Sequence, residues 1–483
     1  MTDITHLLTT VVAVYAFVMG VFLISENRTP QATLAWMLVF IFLPGIGVLA
    51  YLFFGRDGKA FSKQSELLRQ DVRANAMPLL KPILSRQDAE LNRLESESPS
   101  RRKLAMLVRR NSHSALTRRN RVEIQQNATR FYPSLIKDMK AARHSIHHQY
   151  FIWAVDPFTD QLKQILIEKA RAGVEVRLLY DPIGSQAHVG RRYVREMQAA
   201  GIQMAPTSPR YHLHTISYRN HRKITVIDGD IGYTGGMNIG QEHLDGGEGF
   251  DFWRDTQVRL VGESAAILQA VFMVDWYNAV RENLFNPKYF PVTTADAAKD
   301  DVPVQILTSG PDSQWAAIRQ LYSSMIVSAQ RHVYLQSPFF IPDATLAEAL
   351  RTAALSGVDV KVMVSARPSG NRLPDWAGNT FIENIVKAGV RVYLYEKGYL
   401  HAKTVSIDSA VCSIGSANID IRSFSINYEI NAVFYSERIA RELEADFHRD
   451  LACCAEFDPA LYRERGTLPR FRDSVARLLS PLL

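Results

Sequence analysis

The sequence predicts an α/β protein. Two tandem α-β-α sandwich halves, related by a pseudo-twofold axis, follow an N-terminal two-helix transmembrane hairpin. Three observations carry this: a polar motif repeated 180 residues apart, strand–helix–strand patterning ahead of each copy, and two long apolar runs within the first 54 residues.

At 483 residues the chain has room for two or three domains and a large core. Charged residues at 22 % and apolar ones at 47 % exclude wholesale disorder. A net charge of +7 favours anionic partners, and nucleic acid and anionic lipid both qualify. The three cysteines, Cys412, Cys453 and Cys454, include a vicinal pair that is poorly placed for a disulfide. No metal-ligand spacing is present. A reducing compartment and a chemistry without metal or cofactor are expected.

Leu7 to Ile24 is an 18-residue apolar run, and Ala32 to Phe54 is a 23-residue run without charge. At about 1.5 Å per residue the second reaches roughly 35 Å, enough for a hydrocarbon core of about 30 Å. SENRTPQ between them suits a tight interfacial turn, and Pro44-Gly45 should kink the second run. Residues 1–6 hold no Lys or Arg and no small-residue cleavage site follows, which argues against a cleaved signal peptide. Arg56, Lys59 and Lys63 follow the second run, whereas the turn offers only Arg28. The positive-inside bias therefore places the body, and the N-terminus with it, on the cytoplasmic side of the membrane, with a multi-pass anchor over residues 1–58.

Residues 59–122 are expected to form a basic juxtamembrane linker. Within it, 101–121 carry eight Lys or Arg and no acid. A solvated helix face and contact with anionic headgroups are both open readings. The first half is expected over 123–285, a proline-marked linker over 286–303, and the second half over 304–483. HSIHHQYFIW and VEVRLLYD read as strands flanking a helix in the first half; HVYLQSPFFI and VDVKVMVSA do so in the second. That order implies a sheet covered by helices on both faces.

The repeated motif carries the chemistry. HRKITVIDGDIGYTGGMN holds His221, Lys223, Asp228 and Asn238; HAKTVSIDSAVCSIGSAN holds His401, Lys403, Asp408 and Asn418. Alternation in HAKTVSID places His401 and Lys403 on one face of a strand. Asp408-Ser409 then turns, and the return strand brings Gly415, Ser416 and Asn418 back toward the histidine. Glycine at 415 is expected to let the backbone approach a bound oxygen. Two imidazoles, two lysines and two amides suit a two-step attack on a phosphodiester. One imidazole is the nucleophile, the other acid then base, and cationic and amide donors hold the phosphoryl oxygens. Neither half owns a complete pair, so the halves must face each other.

These residues resemble the two HKD motifs of the phospholipase D superfamily. RTPQATLAWMLVFIFLPGIGVLAYLFFG, FDFWRDTQVRLVG and SGPDSQW are similar to segments of bacterial cardiolipin synthases. The resemblance implies phosphatidyl transfer between two phosphatidylglycerol molecules, giving cardiolipin and glycerol through a phosphohistidine, without metal. It makes His221 the nucleophile and His401 the acid and base. Lys223, Lys403, Asn238, Asn418 and Ser416 become the phosphate cradle. It adds Asp255, 34 residues after His221, and Glu429, 28 after His401, each to hold Nδ1 of the histidine it follows. Asp228 and Asp408 complete the catalytic motif, more as supports of the loop than as substrate contacts. The first copy departs from the pattern with Gly236 where serine is usual, and Gly236→Ser is expected to be tolerated.

Phosphatidylglycerol and other anionic phospholipids, together with the membrane, are therefore the expected partners; oligomeric state is open. A phosphodiesterase hydrolysing phospholipid or nucleic acid is the alternative, although the hairpin argues against nucleic acid. A non-catalytic lipid-binding scaffold conflicts with the intact motifs. His147, His148, His212 and His214 have no duplicates and are read as structural, with the last two possible at a pocket entrance. Trp36 and Trp253 are read as packing or interface residues.

Overall fold

The computed structural model describes residues 14–15, 17–26, 30–43, 45–51, 74–185, 188–208, 218–247, 249–296, 299–368 and 370–480. They fall into two compact units, an N-terminal one and a much larger body.

In the N-terminal unit residues 17–25, Pro30–Phe42 and Ile46–Ala50 are helical. Leu23, Phe40 and Tyr51 are buried against one another, with Trp36 edge-on to Tyr51 at 5.0 Å. Where the kink is expected, one helix stops at Phe42 and Gly45 takes φ +82° before the next begins, while Pro44 itself lies outside the described residues. The 13-residue helix Pro30–Phe42 is about 20 Å long, short of a hydrocarbon core. Among the described residues no helix is long and apolar enough to cross a membrane. Residues 7–13, 16, 44 and 52–54 of the expected spans lie outside the described residues.

In the body a fifteen-stranded sheet joins the two halves. The first half contributes β1 (Leu116–Gln126), β2 (Ser145–Tyr150), β3 (Glu175–Tyr180), β4 (Gln203–Pro206), β5 (Ile224–Ile227), β6 (Ile231–Gly235) and, after the short β7 (Trp253–Arg254), β8 (Thr256–Gly262). Their spatial order is β4-β3-β2-β5-β6-β8-β1. The second half repeats it with β9 (Asp301–Ser309), β10 (His332–Gln336), β11 (Asp359–Ser365) and β12 (Arg391–Tyr395). After the short β13 (Tyr399–Leu400) come β14 (Thr404–Ile407), β15 (Val411–Gly415), β16 (Glu429–Phe434) and an extra edge strand, β17 (Cys454–Glu456). From the seam outward its order is β9-β16-β15-β14-β10-β11-β12-β17. β1 and β9 pair antiparallel at that seam, Leu116 opposite Gln305 and Thr117 opposite Val304. Equivalent strands thus lie at equal steps either side of the seam, which is the pseudo-twofold relation.

Strand alternation sorts side chains onto two faces. Ile224, Val226, Val258, Leu260, Ile414 and Ile430 share one core with Phe272 and Trp276 of helix Glu263–Val280 and Leu443 of helix Glu437–Leu451. That core spans both halves. Separate cores belong to the first half, around Phe131, Leu166 and Tyr233, and to the second, around Leu321, Leu350 and Val405.

The boundary drawn at 122 does not survive. Helices Gln87–Glu97 and Pro99–Ser112 bury Leu91, Leu94, Leu104 and Val108 in the second half's core, and β1 runs across the proposed boundary. Part of the basic run is engaged within the body. Arg118, 4 % exposed, meets Glu90 at 3.1 Å, Glu97 at 2.7 Å and Asp301 at 3.3 Å. Arg101 pairs with Glu437, Arg102 with Glu95 and Arg109 with Asp88. The compensating acids lie outside the run, so local charge counting missed them. The linker expected over 286–303 also ends early, since β9 opens at Asp301 and Tyr289 is buried.

Candidate active site

Each motif copy is a hairpin whose two ends do different work. His221 and Lys223 stand just ahead of β5, and Asn238 just after β6; His401 and Lys403 precede β14, and Asn418 follows β15. The His-x-Lys segments are therefore extended approaches to strands rather than parts of them. Asp228 and Asp408 sit at the opposite, turn end with φ +51° and +53°. The Asp228 carboxylate accepts the backbone N–H groups of Arg143, His144 and Ser145 at 2.7–2.9 Å. Asp408 accepts those of Gln330, Arg331 and His332 at 2.7–3.0 Å. Both aspartates are removed from the catalytic set: they pin the turn, a strand's length from the histidines.

At the other end the halves interlock. His221 N–H donates to Tyr428 O at 2.9 Å, and His401 N–H donates to Arg254 O at 2.7 Å. β13 pairs in parallel with β7, Tyr399 beside Trp253. These cross-links carry each carboxylate to the other half's histidine. Both oxygens of Glu429 lie 3.0 Å from His221 Nδ1, and Asp255 Oδ2 lies 2.6 Å from His401 Nδ1. The expected pairing within a half is therefore corrected to a crossed one. It follows from the strand order: Asp255 stands just ahead of β8 and Glu429 opens β16, and these strands flank the seam pair β1–β9, which brings each carboxylate opposite the partner motif.

Lys223 and Lys403 donate to the carbonyls of His221 and His401, respectively, the first at 2.8 Å. Burial dominates their titration, pulling Lys223 down to about 7 and Lys403 to about 8 against the opposing pull of Glu429 and Asp255. Burial also lowers His221, with Lys223 and Lys403 adding to it and Glu429 opposing. His401 falls well below its ordinary value through burial, then Lys403, Lys223 and His221. The two imidazoles thus lie within electrostatic reach of each other and of both lysines. Glu429 is held ionised: burial works against it, but His221, Lys223 and the Ser416 hydroxyl outweigh that. Burial raises Asp255 despite Lys403. Burial disfavours the charged forms of both lysines and both histidines, and a phosphodiester anion among them would favour those forms.

Two expected contributions change. Ser416 is fully buried, and its hydroxyl donates to Glu429 and accepts from Ile430 N–H at 3.0 Å. It steadies the carboxylate instead of facing the phosphate. Gly236 has no room for serine, because a Cβ there would collide with Asp255 Oδ1, itself fixed by Thr256 N–H at 2.7 Å. That crowding argues against the tolerance expected of Gly236→Ser. Gly415 likewise lacks a Cβ because Asn431 and Ile430 O of β16 occupy that space, not a ligand. The Oδ1 of Asn238 accepts from Ile152 N–H at 3.3 Å, which leaves its Nδ2 as donor. Asn418 lies at the equivalent position, its backbone N–H on Ser423 Oγ at 3.2 Å and its buried Oδ1 without a hydrogen-bond partner among the described residues.

A family model described as "Cardiolipin synthase, PLD-like domain" matches residues 135–272 and 322–451, one motif copy in each. The chain belongs to this family. A second model, "Phospholipase_D-nuclease N-terminal", matches residues 11–56. A cardiolipin synthase of Geobacillus kaustophilus (strain HTA426) is 38 % identical over 95 % of this chain and 90 % of its own length. The major cardiolipin synthase ClsA of Bacillus subtilis (strain 168) is 36 % identical over 95 % of each. Among solved structures, the phosphatidylserine synthase of Haemophilus influenzae Rd KW20 superposes with a TM-score of 0.59. At 14 % identity over 79 % of this chain and all of that one, it shows a shared fold.

Within this member of the cardiolipin synthase family, His243 is the site residue that sequence reasoning missed. It stands in the short helix Glu242–Asp245, 6.1 Å ring to ring from His401 and 4.9 Å from Trp253. It has no duplicate in the second half, so the repeat gave no signal. Neither of its buried ring nitrogens has a hydrogen-bond partner among the described residues, and burial pushes it down to about 3. His147 and His148, by contrast, are fully buried and bonded to Gln269 and Thr225 at 3.1 and 2.8 Å. Burial lowers each to about 3, and both are structural. His212 and His214 lie outside the described residues. Arg254, a possible ion-pair partner for Asp255, instead binds Asp450 at 2.8 Å. Among the described residues no group of three or more His, Cys, Asp or Glu is arranged to hold a metal ion.

Proposed function

We propose that this chain joins two phosphatidylglycerol molecules into cardiolipin and glycerol through a phosphohistidine on His221. Its enzyme class comes with the family: a phosphatidyltransferase of the phospholipase D superfamily, acting as a cardiolipin synthase. The crossed carboxylate–imidazole pairs support the mechanism, since each fixes the proton on Nδ1 and frees Nε2.

His221 beside an ionised Glu429 is the better nucleophile. Its Nε2 attacks phosphorus while His401 gives a proton to the departing glycerol oxygen, and the phosphorus–oxygen bond breaks. His401 then takes the proton from a hydroxyl of the second phosphatidylglycerol. That oxygen attacks phosphorus, the phosphorus–nitrogen bond breaks, and His221 is restored. Lys223, Lys403, Asn238 and Asn418 hold the phosphoryl oxygens through both steps.

The N-terminal unit is proposed as a membrane anchor in a bacterial inner membrane, with the body on the cytoplasmic side. Its exposed Phe17, Leu34, Leu38 and Phe42 support that reading, as does the match to the N-terminal family model.

The test is incubation of the purified full chain with labelled phosphatidylglycerol in chelator, with an alkaline quench. Cardiolipin, glycerol and a base-stable, acid-labile protein label are expected. Phosphatidic acid alone would make the chain a hydrolase. His221→Ala should lose label and product together. His401→Ala should still label from a phosphodiester whose leaving group needs no proton.

A further inference from the structure

The last helix of the body, Thr467–Leu478, presents two different faces. Inward, Ala476 and Asp473 are buried on helix Leu373–Val386. The Asp473 carboxylate is satisfied by Asn379 at 3.0 Å, Tyr462 at 3.2 Å and Arg472 at 2.8 Å. Outward, Leu468, Phe471, Val475 and Leu478 recur at helical spacing and form one stripe about 100° wide. They are 76 %, 67 %, 43 % and 79 % exposed. Leu461, on the preceding helix Pro459–Glu464, is also exposed. A soluble surface rarely leaves such a contiguous apolar row uncovered.

The rim of the stripe says what covers it. Residues 459–479 contain Arg463, Arg465, Arg470, Arg472 and Arg477 against only Glu464 and the buried Asp473. At about 100° per residue, Arg472 falls about 40° beyond one edge of the stripe, and Arg470 and Arg477 about 80° and 100° beyond the other. Arg472 lies over the Trp376 ring at 4.3 Å and Arg477 over Phe381 at 5.1 Å. Those contacts keep the guanidinium groups at the edge instead of over the leucines. A convex helix with an apolar stripe and arginine flanks matches the interface of an anionic bilayer.

We propose that helix Thr467–Leu478 is a lipid-docking surface. Its apolar stripe lies at the level of the headgroups of an anionic phospholipid membrane, and Arg470, Arg472 and Arg477 meet the lipid phosphates. This surface is separate from the catalytic cleft and does not depend on the transfer chemistry.

Hydrogen exchange on the full chain tests it, in nanodiscs of phosphatidylcholine with and without phosphatidylglycerol. Amides of 468–479 should exchange about tenfold more slowly when phosphatidylglycerol is present, and the protection should fade at high salt. Equal exchange in both discs overturns the proposal. So does protection that grows with protein concentration in phosphatidylcholine discs, which assigns the face to a second copy. The variant Leu468→Ser/Phe471→Ser/Leu478→Ser should lose the protection and about tenfold in turnover of bilayer phosphatidylglycerol. Its turnover of a dispersed short-chain phosphatidylglycerol should match wild type; an equal loss there makes the face structural and sinks the idea. Absence of any product from the wild type counts against the transferase reading, while the exchange result still stands.

Discussion

Glu429, from the second half, holds Nδ1 of His221, from the first, with both carboxylate oxygens at 3.0 Å. The reciprocal contact, Asp255 to His401 at 2.6 Å, makes the two active halves mutually dependent. Glu429→Gln keeps the shape but lets the imidazole take the wrong tautomer. A loss of about 10³–10⁴ in kcat is expected, by analogy with triads that lose their carboxylate. Quench-flow measurement of the covalent label checks it: Glu429→Gln and Asp255→Asn should both slow labelling, and only Asp255→Asn should recover with a phosphodiester whose leaving group needs no proton.

Affinity should fall as pH rises. In the free enzyme Lys223 is pulled to about 7 and Lys403 to about 8 by burial, so raising pH through that window removes the cations that receive the phosphodiester. KM for phosphatidylglycerol should climb steadily from pH 7 to 9, and kcat should change less, because bound phosphate restores the protons. A KM flat across that range would assign the phosphate to other donors.

The same lysines lower stability. An unfolded lysine titrates near 10.4, so between about pH 7 and pH 10 the unfolded chain binds more protons and stability rises with pH. At pH 7 Lys223→Met removes a poorly solvated cation. It should raise Tm while abolishing turnover, a trade seen when activity rests on a strained site. Calorimetry at pH 7 and pH 9 should show the gain shrinking at the higher pH.

Gly236→Ser is expected to displace Asp255 from His401 and cut kcat by about 10²-fold or more. Near-wild-type turnover would mean that Asp255 has room to move without loss. Ser416→Gly opens space rather than filling it. It removes one hydrogen bond to Glu429 and should cost about 1.5–3 kcal/mol, since the acceptor is charged. Steady-state kinetics on the two variants separates crowding from lost support.

Arg118 should matter for folding, not chemistry. Arg118→Ala leaves Glu90, Glu97 and Asp301 around a buried gap and should cost about 3–5 kcal/mol. Denaturant unfolding measures that, and kcat of the surviving folded enzyme should be unchanged.

The sequence alone determined the repeat, and with it the two imidazoles, two lysines, two asparagines and the α/β halves. Those are local facts: spacing, alternation and a turn signal at Asp228 and Asp408 survive in one dimension. Tertiary structure alone decided that the carboxylates cross between halves, that Gly236 is where Asp255 must sit, and that Ser416 serves Glu429. It also decided that Arg118 is buried and that His243 stands beside His401. Gly236–Asp255 follows from β6 lying beside β8 and Ser416–Glu429 from β15 beside β16, whereas the crossed carboxylates depend on the β1–β9 seam. That seam joins residues nearly two hundred positions apart, and no short-range pattern in a chain encodes such a pairing.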